Sequence, residues 1–75
     1  NISFEVARQG HVKVDVYDVR GRLVRRLADR TFDGGRHSVV WDGRNESGGQ
    51  PASGIKFCRL RTGGSDEVRK MMLVR

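Results

Sequence analysis

Apolar and polar residues alternate along most of this chain, and the alternation predicts strands. Ile2, Phe4 and Val6 are separated by Ser3 and Glu5, the period-two signature of a half-buried strand. Gln9-Gly10 turns the chain. Val12, Val14 and Val16 then face one way, while His11, Lys13, Asp15 and Tyr17 face the other. A third strand is expected over Arg22 to Ala28, where the alternation is imperfect: Val24 and Leu27 stand three apart, and a bulge or an early strand end reconciles the spacing. Leu23, Val24 and Leu27 also fit a helical stripe, but the start at Gly21 and the strand-rich surroundings favour a strand. Residues 29–35 read as a loop ending in Gly34-Gly35, with Phe32 folding back over the edge of the core. His37, Val39 and Trp41 share one face of the next strand. Ile55 to Thr62 and Glu67 to Val74 form the last two strands, joined by a hairpin through Gly63-Gly64.

The turns carry their own signals. Asp18 and Gly21 occupy the first and fourth positions of a type I turn. Between Val39 and Leu60, a strand ending in Trp41 runs into a tight turn at Asp42-Gly43. A loop of turn formers (Asn45, Ser47, Gly48, Gly49, Pro51) follows, and a new strand starts after Ser53-Gly54. Trp41 is the largest apolar side chain in the chain, so its burial is expected to decide where two sheets meet. Val14, Val16, Trp41 and Leu60 are the expected structural core; Asp42, Gly43 and Gly54 are the expected turn residues. Six or seven short strands with turns between them predict an all-β fold, an antiparallel immunoglobulin- or fibronectin type III-like β-sandwich. The Cys…Trp…Cys framework of antibody domains is absent.

Composition narrows the function. A chain of 75 residues makes one module, 1–75, which buries only about 60% of its unfolded surface. No stretch approaches the roughly 18 apolar residues that a spanning helix needs. Residues 1–10 contain Glu5 and Arg8 and no long apolar run, so they do not read as a signal peptide. The start at Asn1 suggests a piece of a longer protein, and the finish just past the last strand suggests that protein's C-terminal domain. Cys58 is the one cysteine, which makes an internal disulfide impossible; mid-strand, it reads as a small core residue.

The net charge is +6, and all of the 15 basic residues except Lys13, Lys56 and Lys70 are arginine. The arginines are scattered and interrupted by acids. Only Tyr17 and Phe57 are available for base stacking, so no specific nucleic-acid partner is expected, only loose attraction to anionic surface polymers. Ser38 and Ser53 lack a Gly-x-Ser-x-Gly elbow, and His11 and His37 lie at strand edges. Asp66-Glu67, the one carboxylate pair, sits at a hairpin. The expected reading is therefore no enzyme, no catalytic residues and no cofactor. The Asp42–Gly48 loop fails the EF-hand pattern at Arg44 and Glu46, so no metal is expected there. Asp42 and Asn45 should instead bond nearby backbone amides. Around Ile55-Phe57-Cys58-Leu60 and Met71-Met72-Leu73-Val74 both strand faces carry apolar side chains. The outer face is thus expected to pack against a neighbouring domain of a parent protein.

Several segments together resemble one family. Trp41-Asp42-Gly43, Ser53-Gly54-Ile55 and Phe57-x-x-Leu60 are similar to a "WDG…SGxYfyrL" segment. Val12 to Arg22 resembles "v-x-l-x-V-Y-D-x-x-G-r", Gly35 to Trp41 resembles "G-x-H-x-v-x-W", and Arg69 to Arg75 the terminal "x-K-m-v-l-x-k". These are segments of a bacterial Ig-like module found in flagellar hook-capping (FlgD-type) proteins. Relatives end many secreted bacterial hydrolases and surface proteins, some of them resembling C-terminal type IX secretion-sorting domains. Lys56 stands where the family usually has a tyrosine and Cys58 where a second aromatic is common, so both positions carry less aromatic packing.

The resemblance implies a non-catalytic C-terminal accessory module of a secreted or cell-surface bacterial protein, acting as sorting signal, anchor or spacer. Its partners would be a host protein's neighbouring domain or the secretion machinery. Lys70, Met71, Met72, Leu73, Val74 and Arg75 would then form the recognition segment. Two alternatives remain: a flagellar hook-capping-type assembly module, and a carbohydrate- or polyanion-binding module using Tyr17, Trp41 and the arginines.

Overall fold

The computed structural model describes residues 1–74, so Arg75 of the expected recognition segment lies outside the described residues. Six strands form: β1 (Ile2–Val6), β2 (Gly10–Tyr17), β3 (Leu23–Phe32), β4 (Gly35–Val39), β5 (Gly54–Arg61) and β6 (Asp66–Leu73). β1 and β4 make a two-stranded antiparallel sheet; the other strands make a four-stranded antiparallel sheet in the order β3-β2-β5-β6. Both sheets contribute to one core, which is the arrangement of a β-sandwich.

The clean alternation of β2 sets the register. Val12, Val14 and Val16 have no exposed surface, and Val14 and Val16 pair directly with Leu60 and Cys58 on β5. Ile2, Phe4 and Val6 of β1 close the core from the other sheet. Each fully buried aliphatic side chain of this kind stabilises by roughly 1.5–3 kcal/mol.

Two expectations need correcting. β3 does not stop at Ala28 and residues 29–32 are not loop: β3 continues to Phe32, because Lys13, Val12, His11 and Gly10 of β2 pair with Asp29, Arg30, Thr31 and Phe32. Polar side chains hide that strand from a periodicity reading, while the ladder of backbone bonds holds it. Register shifts between Val14 and Asp15 and between Val16 and Tyr17 absorb the odd spacing of Leu27 and Val24.

The second correction concerns Trp41. β4 ends at Val39, opposite Ile2 at the start of β1, so the chain leaves the sheet before the tryptophan. Trp41 is only half-buried, and its indole N–H donates to the Arg44 carbonyl at 2.9 Å. The aromatic contact between the sheets belongs to other residues. The Phe4 and Phe32 rings meet edge-on at 5.2 Å, and His37 lies 4.9 Å from Phe32. Phe32 is 3% exposed. His37 Nε2 bonds the Asp33 carbonyl oxygen at 2.7 Å, which fixes the ring at the rim of this cluster.

The turns follow the sequence. The Asp18 carboxylate accepts from the Arg20 and Arg22 amides at 2.9 and 3.0 Å, and Gly21 adopts the φ of +80° that closes the turn. Asp42 accepts from the Arg44 amide at 2.9 Å, and Asn45 accepts from Ser47 and Gly49. This loop is tied to the free edge of β3: the Glu46 amide donates to the Val24 carbonyl at 3.1 Å, and the Glu46 carboxylate accepts from the Arg26 amide. A sheet edge that would otherwise be open is thus partly covered.

Candidate interaction surface

Strand register sorts the residues on the outer face of the four-stranded sheet. Lys13, Asp15 and Tyr17 of β2 stand beside Arg61, Arg59 and Phe57 of β5, which stand beside Asp66, Val68 and Lys70 of β6. Leu23 of β3 adjoins Tyr17, and Ile55 adjoins Met72. The face therefore divides into a charged half toward the β5–β6 hairpin and an apolar half toward the opposite end.

In the charged half, Asp15 is wholly buried although it points away from the core. Its carboxylate accepts from Arg26 Nε and from an Arg61 terminal nitrogen, both at 2.9 Å, so two arginines reach across from the flanking strands and roof it over. A carboxylate out of water is tolerated only when paired and hydrogen-bonded in this way. Its burial escaped the sequence reading because its partners lie 11 and 46 residues away.

The neighbouring charges are paired too. Asp66 accepts from Arg59 Nε at 2.9 Å, Glu67 accepts from Arg69 Nε at 2.9 Å, and His11 bonds Asp29. Hydrogen bonds from Arg59, Arg69 and His11 hold the Asp66, Glu67 and Asp29 carboxyls below their usual range. Arg22 and Arg36 likewise pair with Asp18 and Glu5. Much of the positive charge is consequently spent within the chain.

The apolar half is open. Met72 is 63% exposed, Leu23 and Lys70 are exposed, Tyr17, Ile55 and Phe57 are half-buried, and Val68, 60% exposed, borders this half from the Arg59 row. This differs from a sheet face that simply meets water, where polar side chains alternate outward.

The expected recognition residues split between the two faces of β6. Lys70 and Met72 are exposed on the outer face, whereas Met71 is half-buried against the core; Leu73 is half-buried and Val74 exposed. Val14, Val16 and Leu60 are buried. Gly43 is buried with φ +80°, and Gly54 opens β5 with φ +137°, both left-handed-side values that favour glycine.

The residues with possible reactivity are kept apart. His11 lies on the outer face with Asp29, while His37 lies at the rim of the core with Phe4 and Phe32. Ser38 and Ser53 are exposed. Cys58 is 1% exposed, and burial pushes its thiol up to about 11, away from a reactive thiolate. No cluster of three or more His, Cys, Asp or Glu able to hold a metal occurs among the described residues.

A two-sheet antiparallel sandwich is the build of an Ig-like domain. Residues 1–55 match the family model described as FlgD Ig-like domain, and the chain belongs to that family. The match supports the hook-capping-type resemblance and not the type IX sorting one, and it ends before β6. No curated protein and no solved structure gives a comparable match. The FlgD Ig-like domain is a non-catalytic type of module, related to assembly of the flagellar hook.

Proposed function

We propose that this chain is a docking module that packs the apolar half of its outer sheet face, Leu23, Tyr17, Phe57, Ile55 and Met72, onto a neighbouring protein surface in a bacterial cell-surface assembly. The observation that carries the reading is the exposure of Met72 and Leu23 on one sheet face with half-buried Ile55, Tyr17 and Phe57. Family membership favours a hook-type scaffold as the assembly. The same face would equally serve an accessory module that packs on the host domain of a secreted protein. In both settings the module positions other parts and performs no chemistry.

The experiment is identification of the intact native protein by mass spectrometry in cell, surface-appendage and culture-fluid fractions. Recovery with an appendage scaffold supports the assembly reading. Recovery fused to a hydrolase in the culture fluid refutes it and leaves the accessory role. Recovery as a free chain in the cell interior refutes both.

A further inference from the structure

At the end of the sandwich formed by the β2–β3 turn and residues 51–56, a cleft of about 560 Å³ opens beside Lys56. Lys56 occupies an inward position on β5, in line with Cys58 and Leu60, and is 6% exposed. Its ammonium donates to the Ala52 carbonyl at 2.9 Å. An ammonium has three donors, and Lys56 Nζ has no second protein acceptor among the described residues. A buried cation with one carbonyl acceptor and no carboxylate partner among the described residues is only partly compensated.

The cleft supplies the rest of a recognisable site. Val24, Leu23, Ile55 and Pro51 form apolar walls, while Arg20 and Arg22 line the same space. Among the described residues its one carboxylate, Asp18, is already committed to the Arg20 and Arg22 amides and to Arg22 Nε. The charged groups that remain for a ligand are positive: the ammonium of buried Lys56 and the guanidinium of exposed Arg20. The volume lies within the range of small-molecule sites, roughly 300–1,000 Å³.

We infer that this cleft binds a carboxylate carried on an apolar stem, with the Lys56 ammonium pairing the carboxylate and the walls covering the stem. Such a group comes either as a free aliphatic acid or as the C-terminal carboxylate of a chain ending in an apolar residue. The cleft shares Leu23 and Ile55 with the proposed docking face, but the inference rests on buried Lys56 and not on docking.

Titration of the isotope-labelled chain, followed by amide chemical shifts, tests it with four probes. These are hexanoate, hexan-1-ol, acetyl-Ala-Ala-Leu with a free carboxylate, and the same peptide as its amide. At least one acid should give saturable shifts centred on residues 23–24 and 51–56, with affinity at least tenfold above its uncharged counterpart. Hexanoate alone identifies a free acid, and the peptide alone a chain end. Lys56→Met should lower that affinity at least tenfold, while Arg8→Met at the far end of the sandwich leaves it unchanged. The acid-versus-uncharged comparison needs no variant, so misfolding of Lys56→Met does not blunt the test. Absence of saturable shifts with both acids overturns the inference, as does equal binding by the uncharged probes or by folded Lys56→Met.

Discussion

Replacing Phe32 by leucine probes where the two sheets are held together. Phe32 ends β3, is 3% exposed, meets Phe4 edge-on at 5.2 Å and His37 at 4.9 Å, and lies under the Arg30 guanidinium at 3.8 Å. Leucine keeps most of the buried apolar area but removes the ring edge and the π face. An edge-to-face pair is worth about 0.5–1.5 kcal/mol beyond area, and imperfect refilling of the site adds a comparable cost. The expected loss is therefore about 1–2 kcal/mol. A chain of this length has a total stability of roughly 4–11 kcal/mol, so the change is easily read. Each kcal/mol moves the melting temperature by about 4–8 °C in a domain this small.

The matching control is Trp41→Phe. It removes an indole bond to the Arg44 carbonyl from a half-buried ring and should cost less than about 1 kcal/mol. Both variants are to be followed by far-ultraviolet circular dichroism in urea, since the tryptophan itself changes in one. A larger loss for Trp41→Phe than for Phe32→Leu would refute the placement of the sheet junction on Phe4, Phe32 and His37.

Further expectations concern charge and reactivity. Asp15→Asn should lower the melting temperature by at least about 8 °C, and the difference should persist in 0.5 M salt, because a buried pair is weakly screened; a change under about 2 °C would contradict the roofed-carboxylate picture. Hydrogen bonds depress the Asp18, Asp29, Asp66 and Glu67 carboxyls in the folded chain. Their stabilisation is present above the ordinary carboxylate range and is lost as pH falls through the lowered values. Melting temperature should accordingly drop below about pH 4, and a flat acid profile would contradict the pairing. Cys58, at about 11 and 1% exposed, should resist a thiol-specific disulfide reagent at pH 8 until urea unfolds the chain; rapid labelling of the folded chain would contradict its burial.

Legibility in the sequence followed the range of the interactions. Strand β2 was readable because Val12, Val14 and Val16 alternate strictly, and the Asp18, Asp42 and Asn45 turns because each side chain bonds an amide two to four residues on. The far half of β3 was not readable: Asp29, Arg30 and Thr31 have no period, and only pairing with β2 extends them. Trp41 misled because size predicts burial only where the backbone carries the ring inward, and β4 ends two residues earlier. The outer face was half legible. Apolar residues on both sides of β5 and β6 announced it, but the arginine roof over Asp15 is assembled from three strands and leaves no local trace.

The docking face is tested most directly at Met72. It is 63% exposed, so dilute peroxide should oxidise it readily in the free chain, faster than half-buried Met71. Peptide mapping after the same treatment of the intact native assembly should then show Met72 protected at least tenfold, with Met71 little changed. Equal oxidation of Met72 in the free chain and in the assembly would contradict docking through this face.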